Sequence, residues 1–175
     1  MLLLKNISQL VTCSNVNNFP KKGKEQNEIG LRLDSNIIVD KSRIEFIGSS
    51  KSLAKIIKKR KIKITKEIDC KNKVVTPGFI DSHTHFVFAG NREDEYEMRI
   101  AGKTYQEIAA AGGGIISTVN SVRKSSFNNL YEIAEKRLKK FVETGTTTIE
   151  AKSGYGLDTS NEIKILKVIN KLKEK

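Results

Sequence analysis

His83 and His85 are the only histidines in the 175-residue chain, and they stand two apart in Phe79-Ile80-Asp81-Ser82-His83-Thr84-His85-Phe86. In an extended strand, residues i and i+2 point to the same face, so both imidazoles project together, about 6–7 Å apart. Neutral imidazole is a good ligand for zinc or ferrous iron, and two rings at that spacing can converge on one ion. A His-x-His taken alone is common by chance. Two features favour a metal here. The pair ends an apolar run of strand formers, the edge where parallel α/β folds place their sites. It also follows Pro77-Gly78-Phe79-Ile80-Asp81 directly. Two imidazoles do not complete a catalytic zinc site, which has typically three protein ligands plus water. No general base is assigned. Asp81 and Glu150 are the nearest carboxylates by strand position, and a supporting role is expected of both.

The elements that must hold this pair can be read on either side of it. From residue 74 the chain reads as strand, long loop, helix, strand, loop, helix. Thr104 and Glu107 have capping-box spacing for a helix that stops at Gly112-Gly113-Gly114. No Lys-Ser/Thr follows those glycines in P-loop spacing, so they read as a helix stop with a flexible loop. Leu130, Ile133, Ala134, Leu138, Phe141 and Val142 form one apolar helical face. Gly145 ends that helix, and Thr146–Ala151 is a β-branched strand. After the Gly154-Tyr155-Gly156 loop, Thr159 and Glu162 cap a last helix carrying Ile163, Leu166, Ile169 and Leu172.

This order begins a βα series, as in a doubly wound sheet or a (β/α)8 barrel. Two units cannot close a barrel of eight, so the chain is expected to hold only part of one.

Residues 1–73 read as a separate β-rich domain, with 74–175 as the second. Leu31 with Leu33 and Ile37-Ile38-Val39 are short apolar stretches divided by the turn-like Asp34-Ser35-Asn36. Arg43–Gly48 alternates as a half-buried strand, and Leu53–Ile64 suits a short helix followed by a strand. Residues 14–28 are polar and read as a loop.

Three strings in order, "TPGFIDSHTHFVFAGNREDE", "AGKTYQEIAAAGGGIISTV" and "GTTTIEAKSGYGL", resemble the imidazolonepropionase family of metal-dependent amidohydrolases. The resemblance covers about residues 74–175. Residues 1–73 are similar to the family's small β-sandwich-type domain and carry no diagnostic motif. The resemblance implies an α/β fold, the start of an amidohydrolase TIM-like barrel, incomplete in this chain. It implies that His83 and His85 are two ligands of a single Zn2+ or Fe3+, and that Arg92 and Tyr155 bind substrate.

The implied reaction is hydrolysis of the ring amide C–N bond of 4-imidazolone-5-propanoate to N-formimidoyl-L-glutamate, a step of histidine degradation. A guanidinium suits the substrate carboxylate and a tyrosine suits the flat ring. The family's remaining ligands, a histidine and an aspartate, and its acid/base residues lie further along the barrel. The chain alone is therefore expected to be inactive. The alternatives are an inactive remnant or another cyclic-amide amidohydrolase. Lys152 invites comparison with the carbamylated lysine of binuclear relatives, but a structural or loop role is expected of it. A homodimer is the assembly the resemblance implies for a full-length form.

Composition narrows the rest. The formal charge is +12, with 38% hydrophobic and 30% charged residues. The lysines are scattered, densest from Lys55 to Lys66, and no base-stacking aromatic set accompanies them, so they read as a solvated surface and not as a nucleic-acid site. Cys13 and Cys70 read as free thiols in a reducing cytoplasm. The Leu2-Leu3-Leu4 run is broken by Lys5, too short for a signal sequence or a membrane span. A cytoplasmic protein with no membrane partner is expected.

Overall fold

The computed structural model describes residues 1–14 and 19–173 and divides into two compact units, Met1–Pro77 and Gly78–Lys175.

In the first unit, β1 (Leu2–Val11) is the central strand. It pairs antiparallel with β2 (Leu31–Asp40) on one side and parallel with β4 (Lys66–Asp69) and β5 (Val74–Val75) on the other. β3 (Arg43–Gly48) completes the sheet against β2, and α1 (Ser50–Arg60) follows it. Ile7, Leu10, Ile37 and Cys70 form the core of this unit. Among the described residues this is one five-stranded sheet.

Three readings change here. Asp34-Ser35-Asn36 is not a turn between two strands, because β2 runs through it. Asp34 takes a positive φ of 46°, as does Asn6 (58°), and the β1–β2 register slips between Leu4 and Ile7. Asp and Asn tolerate that conformation better than other non-glycine residues, which makes the site a bulge. Buried Asn36 then stitches three segments together: its Oδ1 accepts from the Asn6 backbone N–H (3.1 Å), and its Nδ2 donates to Gly48 O and Ser50 Oγ (both 3.3 Å). The strand expected at Ile62–Ile64 begins only at Lys66. The change of texture read at Lys73 falls a few residues before the division between the units, because Val74 and Val75 pair with Gln9 and Leu10. Within the polar loop at 14–28, residues 15–18 lie outside the described residues, and Gly23–Asn27 forms a 3-10 turn.

In the second unit β6 (Phe79–Thr84) and β7 (Thr146–Ala151) pair in parallel. Between them run α2 (Glu93–Ile100), α3 (Tyr105–Ala110), α4 (Ile115–Lys124) and α5 (Phe127–Glu143), and α6 (Thr159–Lys173) follows β7. The capping box at Thr104 and Glu107 is present. Phe86, Val87 and Ala89, just beyond β6, are buried with Val122, Leu130, Ala134, Ile165, Val168 and Leu172. On the expected face of α5, Leu130 and Ala134 are buried, Ile133, Leu138 and Phe141 are partly buried against this core, and Val142 is 70% exposed. α6 buries Ile165, Val168 and Leu172, and leaves Ile163 and Leu166 about half exposed. The helix N-cap is Asp158, not Thr159: its Oδ1 accepts from the Asn161 backbone N–H at 2.9 Å.

Candidate metal and substrate site

His83 is the penultimate residue of β6 and is exposed, and His85 follows one residue beyond the strand's end, half-buried. Their ring centroids lie 5.2 Å apart with the planes at 70°. The short strand explains the arrangement, because an extended backbone through Thr84 sends both rings to one side. Asp81 Oδ1 accepts from the His83 backbone N–H (3.1 Å), bracing the turn of chain that carries the ring. The Lys152 backbone N–H donates to Thr84 O (2.8 Å), extending the β6–β7 ladder to the level of the histidines.

One atom of this pair is out of place for a purely structural histidine. Nδ1 of His85 is buried and has no hydrogen-bond partner. Buried polar atoms are nearly always satisfied, so an orphaned imidazole nitrogen beside a second imidazole suits a cation ligand. The donor set therefore fits two corners of a metal site. Among the described residues, no group of three His, Cys, Asp or Glu could hold an ion.

Gly154 closes over His85. A Cβ built there would lie 2.8 Å from His85 Cε1, and its φ of 150° already disfavours a side chain. The next residue, Tyr155, packs its ring 5.4 Å from His85 and 5.7 Å from Phe88. The guanidinium of Arg137, on α5, lies 3.5 Å over the Phe88 ring, and its Nη1 donates to Phe86 O and Phe88 O. A cation on an aromatic face is favourable, and two carbonyl bonds fix the chain after His85. The loop bearing Tyr155 is pinned from the other side. Glu162 Oε1 accepts from the Gly156 and Leu157 backbone N–H groups (2.7 and 2.9 Å), and Arg123 Nε donates to Gly156 O (2.8 Å).

Arg92 and Tyr155 line the same cavity of about 340 Å³, together with Phe88, Asn91, Thr118 and Arg137. Arg92 is the N-cap residue of α2 and is paired with Glu95: Nε and Nη2 both donate to Glu95 Oε2 (2.9 and 2.7 Å). That bond holds the Arg92 pKa above its ordinary value and the Glu95 carboxyl below its own. The carboxylates nearest the histidines are otherwise occupied. Glu150 pairs with Lys152, and this partner, with a smaller contribution from His83, keeps its carboxyl below the usual range. Lys152 Nζ is engaged in this exposed ion pair.

Glu95, Phe88, Arg137 and Gly154 were not singled out in the sequence. Arg137 carries a signal in retrospect, since it lies at i+7 from Leu130 and i+3 from Ala134, on an otherwise apolar face. Glu95 lies at i+3 from Arg92.

The profile of the amidohydrolase family matches residues 66–118. Several solved structures share the fold, among them the following two. One is guanine deaminase from E. coli, at 18% identity and TM-score 0.55, covering 86% of this chain and 31% of that one. The other is the zinc complex of the atrazine chlorohydrolase TrzN from Arthrobacter aurescens, at 17% identity and TM-score 0.53, covering 99% and 34%. The chain therefore has an amidohydrolase α/β fold.

The sequences are more specific. Imidazolonepropionase from Clostridium tetani is 42% identical over 173 residues, covering 99% of this chain, and the probable imidazolonepropionase of Dictyostelium discoideum is 42% identical over 171 residues, covering 97%. The chain belongs to the imidazolonepropionase family. It spans about 40% of the length of these relatives (40% and 39%).

Proposed function

We propose that this chain supplies the metal-binding and substrate-binding edge of an imidazolonepropionase, an enzyme that hydrolyses the ring amide bond of 4-imidazolone-5-propanoate to N-formimidoyl-L-glutamate. The observation that carries the reading is the cavity shared by Arg92 and Tyr155, whose tyrosine ring also packs on His85. A flat ring lying against Tyr155 is thereby brought beside the histidine pair, while a carboxylate arm reaches Arg92. His83 and His85 would hold one Zn2+ or Fe3+, and the orphaned Nδ1 of His85 supports that assignment. When bound, the ion supplies Lewis acidity and a water of lowered pKa. Tyr155 and Phe88 exclude bulk water from one wall, and Arg92 neutralises the substrate's charge. The general base and the remaining ligands are not assigned to any residue of this chain.

We further infer the finer architecture, a sandwich-type first domain followed by the opening units of a TIM-like barrel, together with cytoplasmic residence and a homodimeric full-length form. No helix among the described residues is long and apolar enough to cross a membrane. A second reading, another cyclic-amide amidohydrolase, is supported by the fold alone.

The test is a turnover assay on the gene product purified at its natural length, whose intact mass also shows how the chain of 19.6 kDa is used. Loss of 4-imidazolone-5-propanoate with formation of N-formimidoyl-L-glutamate, abolished in His83→Ala and His85→Ala together with the bound metal, supports the proposal. Turnover of a different cyclic amide in its place refutes it.

A further inference from the structure

Glu95 is an oddity for a carboxylate: it is only 8% exposed, although it lies on a short, highly charged helix. Both its oxygens are used. Oε2 takes two bonds from Arg92, and Oε1 accepts from the Gly114 backbone N–H at 2.8 Å. The glycine run that follows α3 is thus a seat for this carboxylate and not a loose linker. Gly112 and Gly114 take φ of 85° and 78°, the left-handed region that glycine enters without strain. Gly113 is excluded from bearing a side chain for another reason: a Cβ there would lie 3.1 Å from Glu95 Cδ and 2.8 Å from Ile108 Cγ2.

The geometry of the ion pair matters for what Arg92 can still do. A guanidinium has two edges that each present a parallel pair of N–H groups, one formed by Nε with Nη2, the other by Nη1 with Nη2. Glu95 occupies the first edge only. The second edge stays available to a carboxylate, held at a fixed angle by a buried partner that is itself fixed to the glycine seat.

We propose that Glu95 is a positioning residue for Arg92, braced on Gly112–Gly114, and that it presents the Nη1–Nη2 edge to the carboxylate of the substrate. This rests on the proposed function of Arg92 and deepens it. The device selects one carboxylate at one orientation, because the other edge of the guanidinium cannot be taken without displacing a buried anion.

The variants are Glu95→Gln, which keeps shape but leaves one oxygen to serve both Arg92 and Gly114, and Gly113→Ala, which pushes on the same carboxylate without touching its charge. Two readouts are taken on the natural-length enzyme. In 15N spectra, the Arg92 Nε–H, assigned by its loss in Arg92→Lys, exchanges slowly in the wild type and fast in both variants. In turnover, KM for 4-imidazolone-5-propanoate rises about tenfold in both variants, the scale of one charge-assisted hydrogen bond, with kcat changed far less. A KM that is unchanged or lower in Glu95→Gln overturns the proposal, since Glu95 would then be a competitor for Arg92. Fast exchange of Arg92 Nε–H in the wild type overturns it as well. Absence of wild-type turnover with a protected Nε–H refutes the functional reading of Arg92, and the positioning role falls with it, while the ion pair itself stands.

Discussion

The strand that delivers His83 and the segment that follows His85 are neighbours in sequence and opposites in environment. On β6, Phe79 is 57% exposed and Ile80 72%, whereas Phe86, Val87 and Ala89 are 5%, 1% and 4% exposed. A buried parallel strand is expected to be apolar on both faces and covered on both. Here only Phe79 and Ile80 of β6 are apolar, and β7 is its one strand neighbour among the described residues. The core of this unit is built instead beyond the strand's end, where the chain after His85 sinks between α5 and α6. The histidine pair therefore takes its support from the loop side, through Gly154, Tyr155, Phe88 and Arg137. The largest consequence is that a cavity on the loop side should cost far more than a change on the strand. Leu130 is fully buried in the loop-side core, and Leu130→Ala is expected to lose about 2–5 kcal/mol in urea unfolding, the cost of transfer plus cavity. A loss below 1 kcal/mol would mean that this core is not where the unit's stability lies.

A smaller effect, but one aimed at the site, is expected from Gly154→Ala. The backbone there is strained for any side chain, and the new methyl would press on the His85 ring. A destabilisation of about 1–3 kcal/mol is expected, the range for a residue forced into a sparse backbone region. The His85 imidazole resonances should shift while those of His83 move little. Equal shifts at both rings would show that the loop and the strand respond as one body, and the contrast between them would fail.

Acid tests the same loop more gently. Asp158 caps α6, and hydrogen bonds from Asn161 N–H, the Asn161 side chain and Ser160 lower its pKa from 3.8 to about 2. A carboxyl with a depressed folded pKa contributes stability that is present above its unfolded pKa and lost as pH falls through the folded one. The contribution should therefore be complete above about pH 4 and fade toward pH 2. Asp158 also pairs with Arg123, which holds Gly156 O, so loosening the cap loosens the Tyr155 loop. Amide exchange at Asn161 should quicken over that window in the wild type, and Asp158→Asn should remove that response and quicken exchange at Gly156, whose N–H also rests on Glu162 Oε1. If only Asn161 responds, the loop is held by Glu162 alone.

How much of this was legible depended on whether local signals and tertiary packing agreed. Thr146–Ala151 was readable residue for residue because a β-branched run after a helix-ending glycine has one reading. The Thr104–Glu107 capping box and the same-face projection of His83 and His85 were readable for similar reasons. α2 was hidden because Glu93-Asp94-Glu95-Tyr96-Glu97 shows no apolar face, its one buried residue being an acid whose partners lie at Arg92 and Gly114. α4 was hidden behind Ile115-Ile116-Ser117-Thr118-Val119, a β-branched start with no side-chain cap. α6 has apolar residues over so wide an arc that either the Ile163–Leu166 or the Ile165–Val168 stripe could have faced inward. Lys164 settles the packed rotation, its Nζ donating to Val122 O and Ser125 O at the end of α4. The orphaned nitrogen of His85 and the seat beneath Glu95 are products of that packing, and no spacing rule encodes them.

The smallest expected effect decides whether the contrast between strand and loop is a property of the chain in solution. Ile80 is 72% exposed, so Ile80→Ser removes little buried apolar area and should change unfolding stability by no more than about 0.5 kcal/mol. Serine is a poorer strand former than isoleucine, so the sign should be destabilising. If the loss is instead comparable to that of Leu130→Ala, β6 must be covered in solution. Repeating the unfolding at a tenfold range of protein concentration then separates the two ways of covering it. A stability that rises with concentration means another copy lies against the strand. A stability independent of concentration means that the chain itself folds over β6, and the exposed strand would no longer distinguish the two sides of the histidine pair.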